Sequence, residues 1–333
     1  MRKGSLPEKS RVSIGSAIVL GLTKGIMDAK PTTTYMLTYR PEKCSANCGF
    51  CPQARMSKSR ADMLSRVTWP PFPTEQVISK IGPVVKTGLT KRVCIQALNY
   101  PTVFDDVLNL ATEILSCVDV PISVSCQPLN REKMEKLREA GIDRISIPLD
   151  AATEAIFDKV KGQLAGGPYV WKKQREALEE AVQVLGRGYV STHLIVGLGE
   201  EEREMVQTIQ WCVDSGVYPG LFSFTPIPGT TLENQSQPSI RGYRRIQFAH
   251  YLITHGKTRY EQMGFSEDGR IVDFDVSKEL FQRVARTGSP FVTSGCPNCN
   301  RPYYNERPGG PIYNYPKQPS PEEIAEIEKQ IQM

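Results

Sequence analysis

The chain has 333 residues and a formal charge of +5, and its apolar content is enough for a sizeable core. No apolar run reaches the roughly 18 residues of a membrane helix, and none follows Met1-Arg2-Lys3-Gly4-Ser5 as a secretion signal requires, so a cytoplasmic protein without a membrane partner is expected. The basic residues are scattered, which argues against a dedicated nucleic-acid binder, and the nine cysteines, odd in number, favour metal or redox chemistry over a disulfide scaffold.

In chain order, residues 12–28 read as a small lead-in helix. Short apolar or β-branched runs then alternate with helical patterns. Strands are expected at Thr33–Tyr39, Arg92–Ala97, Ile122–Cys126, Arg144–Pro148, Tyr189–Val196 and Leu221–Thr225. Helices are expected at Val103–Cys117, Arg131–Ala140, Trp171–Leu185, Glu202–Ser215 and Ile240–His255. Such alternation means βαβ units and a parallel sheet. Six units are too few for a closed eight-fold barrel, so the pattern predicts an α/β fold, an open (β/α)6 partial TIM barrel. Its site belongs at the carboxyl ends of the strands. The expected division is a helical lead-in over 1–30, the barrel over 31–256 and a C-terminal extension over 257–333. From about Gly256 the sequence reads as irregular backbone rich in Pro, Gly, Tyr and Asn, and a last polar helix runs from Pro321 to the end with Ser320 as its N-cap.

Cys44, Cys48 and Cys51 follow directly on the first barrel strand with the spacing C-x3-C-x2-C. Three thiolates on one tight loop can hold three corners of a cubane and leave one iron open for chemistry. A zinc site is the rival, although zinc motifs usually show two C-x2-C pairs. Six cysteines remain. Cys117 and Cys212 read as core residues. Cys94 and Cys126 fall on the second and third strands, and Cys296 and Cys299 form a C-x2-C in the irregular tail. Buried core is the plain reading of the strand pair, and a zinc knuckle that of the tail pair.

The C-x3-C-x2-C loop, with Phe50 before its last cysteine, resembles the radical S-adenosylmethionine (SAM) superfamily, and the likeness runs over roughly residues 33–230. It implies a SAM-binding [4Fe–4S] cluster on Cys44, Cys48 and Cys51, and cleavage of SAM to a 5′-deoxyadenosyl radical. His193-x-Ile195-x-Gly197-x-x-Glu200 resembles the family's adenine-side motif, with histidine where a glycine is usual. Asp150 matches the position that binds the SAM ribose hydroxyls in biotin synthase-like members; as a plain sequence feature it reads as a helix N-cap. Ala97-Leu98-Asn99 stands where many members carry Gly-Gly-Glu for the methionine amine. Lys172, Lys173 and Arg175 could supply a cation for the SAM carboxylate, although they read more simply as a solvated helix face.

The biotin synthase-like branch carries cluster cysteines that match Cys94 and Cys126, while its third falls at Ser191 here. The resemblance therefore implies a different auxiliary [4Fe–4S] cluster, on Cys94, Cys126, Cys296 and Cys299, with the tail folded over the barrel mouth. The stretch Ser294–Pro302 is similar to the ending of some two-component lipoyl synthases. That resemblance implies a sulfurtransferase, inserting sulfur from the auxiliary cluster into octanoyl-lysine on a lipoyl-carrier protein. It would act with a second radical SAM subunit and a reductant such as ferredoxin. If the four cysteines are not together, or the tail pair binds zinc alone, the sulfur-donor mechanism on these four fails, and the lipoyl reading built on it falls too. Biotin synthesis and a carbon-skeleton rearrangement are the enzymatic alternatives. An iron–sulfur or zinc binding module is the non-enzymatic one.

Overall fold

The computed structural model describes residues 5–306 and 309–331. Residues 12–28 do not make the expected lead-in helix. A strand β1 (Lys9–Val12) precedes a helix α1 of six residues (Ile14–Val19). Ser13 Oγ caps its start by accepting the Ser16 N–H at 3.3 Å. Its end is a Schellman turn. Gly21 takes φ +68°, its N–H reaches Ile18 O at 3.1 Å, and the Leu22 N–H reaches Ala17 O at 2.8 Å. Glycine in the left-handed region stops the helix there.

Next come β2 (Thr33–Thr38), a small hairpin of β3 (Met63–Leu64) and β4 (Val67–Thr68), and β5 (Pro71–Pro73). Helix α2 (Thr74–Lys86) follows, and then five βα units: β6 (Arg92–Gln96) with α3 (Val103–Cys117), β7 (Ile122–Ser125) with α4 (Arg131–Glu139), β8 (Arg144–Ser146) with α5 (Glu154–Val160) and α6 (Trp171–Leu185), β9 (Val190–Val196) with α7 (Glu202–Asp214), and β10 (Val217–Ser223) with α8 (Ile240–Thr254). The sheet order is β10-β9-β8-β7-β6-β2-β1-β5. The six strands from β2 to β10 pair in parallel, as the partial barrel requires, while β1 and β5 add antiparallel at the β2 edge. Helix α2 escaped the sequence reading, although its buried Val77, Ile78 and Ile81 have helical spacing.

The strands align side chains in layers across the barrel. The register sets Gln96, Ser125, Ser146 and Ser191 side by side, and one layer nearer the amino ends sets Cys94, Ser123 and Arg144 side by side.

The region after Gly256 is less irregular than expected. A hairpin of β11 (Gly264–Phe265) and β12 (Ile271–Asp273) leads to α9 (Lys278–Arg286), whose Ser277 cap accepts the Leu280 N–H at 3.2 Å. The last helix α10 (Pro321–Ile331) starts on the expected cap, here a full capping box: Ser320 Oγ accepts the Glu323 N–H and the Glu323 carboxylate accepts the Ser320 N–H. Its expected continuation to the end falls on residues 332–333, outside the described ones.

The cysteine part of the tail does not fold over the barrel mouth. It approaches the amino ends of the strands. Pro297 O accepts from Arg92 Nε, Asn298 O accepts from Thr32 Oγ1, and Cys296 lies against Ser123. It then climbs the seam between β10 and β2. Arg301 N–H donates to the Tyr35 hydroxyl, the Tyr304 ring packs on Tyr35 and Trp69, and Asn305 O accepts from Thr225 Oγ1 beyond the carboxyl end of β10. A six-strand barrel leaves its first and last strands unjoined, and this stretch fills the gap.

Candidate active site

The cysteine loop follows β2 and is pinned from several sides. Cys44 N–H donates to Gln53 O at 3.0 Å and Cys51 N–H to Cys48 O at 3.0 Å; Gly49 N–H reaches Val160 O at the end of α5. Asn99, in the segment where Gly-Gly-Glu is usual, donates its N–H to Cys44 Sγ at 3.1 Å. Burial pushes the Cys48 and Cys51 thiols up, Cys51 to about 12, and the neighbouring loop cysteines push in the same direction. Partly buried thiols that oppose each other's ionisation suit a cationic cluster, which neutralises the thiolates it binds. Among the described residues no three His, Cys, Asp or Glu side chains close on a single metal ion. A cubane takes one thiolate per iron, and the three cysteines of this loop supply three of them.

One cavity joins this loop to the tail. Its lining includes Cys51 and Phe50 at one end, Cys94, Cys296 and Cys299 at the other, and His193 and Ile195 on the wall. Asp150 also faces it, but not as a helix cap. The cap of α5 is Thr153, whose Oγ1 accepts the Ile156 N–H at 3.3 Å. Asp150 takes φ +68°, bridges to β9 through its N–H to His193 O, and pairs through Oδ2 with Lys161 Nζ at 2.7 Å.

Lys161 was not found from the sequence. It ends a short charged run, Asp158-Lys159-Val160-Lys161, that reads as a solvated helix end. It is 0% exposed, also donates to Pro148 O, and lies 5.7 Å and 5.2 Å from the ring centres of Phe157 and Tyr169. The expected cations sit elsewhere: Lys172 and Lys173 are exposed, and Arg175 stacks on Trp211 at 4.0 Å. Asp150 and Lys161 thus form a buried pair that leaves Oδ1 of Asp150 for a ligand. Lys161→Met is expected to cost about 3–5 kcal/mol of stability, because it strands a buried carboxylate. The check is a denaturant titration of the cluster-free protein beside Asp150→Asn/Lys161→Met, which should recover most of the loss. An unchanged midpoint for Lys161→Met would refute the pairing.

Of the adenine-side motif, Gly197 takes φ +103°, and a Cβ there would meet the Pro238 ring at 2.7 Å. The Glu200 carboxylate accepts the N–H groups of Gly197 and Leu198 at 2.6 and 3.0 Å, holding that turn. Glu200 thus shapes the loop from behind. Burial lowers His193 to about 4, so it is a neutral imidazole, and its ring packs on Phe222.

The tail cysteines meet Cys94 and not Cys126. Burial raises the Cys94 thiol well above its usual range, and Cys296 and Cys299 raise it further. The Tyr35 hydroxyl lies 3.2 Å from Cys299 Sγ, and Ser123 Oγ donates to Cys296 Sγ at 3.4 Å. Cys126 is buried in the hydrophobic core, away from the cavity lining, and only burial raises its thiol. The four-cysteine set is therefore corrected to three. Successive strand residues face opposite sides, and Ser123, level with Cys94, points to the tail; Cys126 is of the other parity. Cys126→Ala is expected to leave the iron content of reconstituted protein unchanged while lowering stability by about 1 kcal/mol, as a small core deletion does. Iron analysis checks this, and a loss of iron would return Cys126 to the site.

A partial α/β barrel with a three-cysteine loop at the strand ends defines an enzyme class that binds an iron–sulfur cluster and opens one iron to a ligand. Residues 39–212, just over half of the chain, match the family model of the radical SAM superfamily, and the chain belongs to that superfamily. Membership implies a [4Fe–4S] cluster and SAM. Among curated proteins, the chain is 28% identical over 196 residues to a biotin synthase of Hydrogenobaculum sp., covering 57% of this chain and 55% of that one. To the Aquifex aeolicus biotin synthase it is 22% identical, covering 76% and 73%. The chain spans about half the length of the first of these relatives. Among solved structures, the [FeFe]-hydrogenase maturase HydG from Carboxydothermus hydrogenoformans superposes with a TM-score of 0.51 at 17% identity, covering 74% of this chain and 56% of that one. Methylornithine synthase gives 0.50 at 14%, covering 81% and 84%. At these identities the structures speak for the fold alone. Among the described residues no helix is long and apolar enough to cross a membrane.

Proposed function

We propose that this radical SAM enzyme inserts sulfur into unactivated carbons of an octanoyl chain on a carrier-protein lysine, as one subunit of a two-component lipoyl synthase. The observation that carries this reading is the single cavity shared by the Cys44–Cys48–Cys51 loop and the Cys94–Cys296–Cys299 set. The four-thiolate form of this reading fails with Cys126 in the core; what is proposed is a narrower site, in which Cys94, Cys296 and Cys299 hold three irons of a cluster and leave the fourth iron to another ligand. Bound on the two sets, the clusters and SAM supply the hydrogen-abstracting 5′-deoxyadenosyl radical and the sulfur. The chain's own residues hold the reactants in line and keep water out. Asp150, fixed by Lys161, accepts hydrogen bonds from the SAM ribose. Phe50, Ile195 and Phe222 give the wall an apolar face for an alkyl chain. Cys94, Cys296 and Cys299 hold the sulfur source at the base of the barrel, below a reactant that comes from the strand ends.

Biotin synthesis is the second reading, favoured by the curated relatives. Against it, Ser191 lines the cavity where that branch has a cysteine. The test gives the reconstituted protein SAM, dithionite and either an octanoyl-lysyl peptide with a partner radical SAM subunit, or dethiobiotin. Mass spectrometry should show sulfur added to the peptide. Sulfur in dethiobiotin alone would replace the lipoyl reading with the biotin one.

A further inference from the structure

Behind the cysteine loop, outside the cavity lining, Arg55, Met56 and Lys58 are exposed, and so is Leu164 on the segment after α5. The two segments are tied together: Asn47 Nδ2 donates to Ala165 O at 2.6 Å and the Arg55 guanidinium to Gly166 O at 3.2 Å. The patch is also bonded into the cluster loop. Ala54 N–H donates to Cys51 O, Arg55 N–H to Ala46 O and Met56 N–H to Asn47 Oδ1. Few bonds therefore separate this surface from Cys48 and Cys51.

Its charge is distinctive. Residues 40–66 hold six basic and two acidic residues, a net of +4 (6 − 2) out of +5 for the whole chain. Arg40 and Arg60 are matched by Glu42 and Asp62. Arg55 and Lys58 have no acidic partner among the described residues. Two acids border the patch without pairing with either cation: Glu233 accepts the Gly229 N–H at 2.6 Å and Asp158 the Gln163 N–H at 2.8 Å.

We propose that this patch receives a small acidic one-electron carrier protein and is where reducing equivalents reach the cysteine loop. The proposal rests on the family's reductive cleavage of SAM and not on the octanoyl reading. One electron leaves the carrier, which is oxidised. SAM gains it, and its S–C5′ bond breaks to give methionine and the 5′-deoxyadenosyl radical, with no proton moved. Electron transfer falls steeply with distance, so a carrier has to dock beside the loop. Two exposed apolar side chains beside two cations that have no acidic partner among the described residues suit a small, transient, electrostatically steered interface. An acidic substrate-carrying domain would instead have to sit over the cavity opening, whose lining excludes all four side chains.

The test uses the holoenzyme and measures uncoupled SAM cleavage with no acceptor substrate, driven either by reduced flavodoxin or by dithionite. With flavodoxin, Arg55→Glu/Lys58→Glu should lower kcat/KM about tenfold or more and remove the salt dependence seen in the unaltered protein. Met56→Ser/Leu164→Ser should lower it severalfold. Both variants should keep their dithionite-driven rates. Undiminished flavodoxin-driven cleavage in both would overturn the proposal. So would a parallel fall with dithionite, which would assign these residues to the fold of the loop. A loss confined to sulfur addition on an octanoylated carrier domain under dithionite would give the patch to the substrate's protein instead. Failure of the unaltered holoenzyme to cleave SAM with dithionite would be a different result, and would undo the family reading itself.

Discussion

Replacing Cys44, Cys48 and Cys51 together by alanine is expected to abolish 5′-deoxyadenosine formation and to remove about half of the roughly eight irons that two cubanes would bring. The reason is local. The three thiols share one loop, whose backbone is held at two points by neighbours: Cys44 by Gln53, and Gly49 by Val160 and Leu232. Removing the thiols leaves this hydrogen-bonded frame and takes away only the donors. The fold should persist, because the frame is backbone and the barrel core lies beneath it. The measurement is anaerobic iron analysis with chromatography of the SAM products under dithionite. Residual cleavage in the triple variant would mean that the reactive iron is held elsewhere.

The second large effect concerns the tail. Cys296→Ala/Cys299→Ala is expected to lose about half the iron, keep SAM cleavage and stop sulfur insertion. Cys94→Ala should do the same, since its thiol is electrostatically coupled to both tail thiols. The three partly buried thiols line the same end of one cavity, which is the donor arrangement the proposed cluster needs. Without it, the tail still has the Tyr304 packing and the buried Arg301, whose guanidinium lies 3.7 Å from the Phe222 ring centre and donates to Ser294 O and Leu221 O. The tail should therefore remain docked in the variants, which separates loss of sulfur transfer from loss of structure. Limited proteolysis of the metal-free variant checks that docking. Sulfur insertion at an undiminished rate by Cys296→Ala/Cys299→Ala would end the sulfur-donor proposal.

The sequence alone determined what depends on neighbours along the chain. The C-x3-C-x2-C loop, the six parallel strands, the long barrel helices and the Ser320 cap are all written in spacing, period and capping chemistry within a few residues. The end of α1 was equally local, in Gly21, but the apolar run around it was read as a longer helix. What only the tertiary structure decided depends on register and packing. Cys94 and Cys126 each sit on or beside a strand, and nothing in either strand says which faces share a side. The pairing of Cys94 with Ser123 does, and it turns Cys126 into the core. Lys161 reads as one more solvated charge until the chain folds it under Phe157 and against Asp150. The tail carries no strand or helix pattern between Cys296 and Glu306 to give its direction. Its path up the seam is set by Thr32, Arg92, Tyr35 and Thr225, residues that sequence separates from it by 80 positions or more. Contacts of that kind have no signature in a local pattern, because their energy comes from filling a gap that exists only after the barrel has formed.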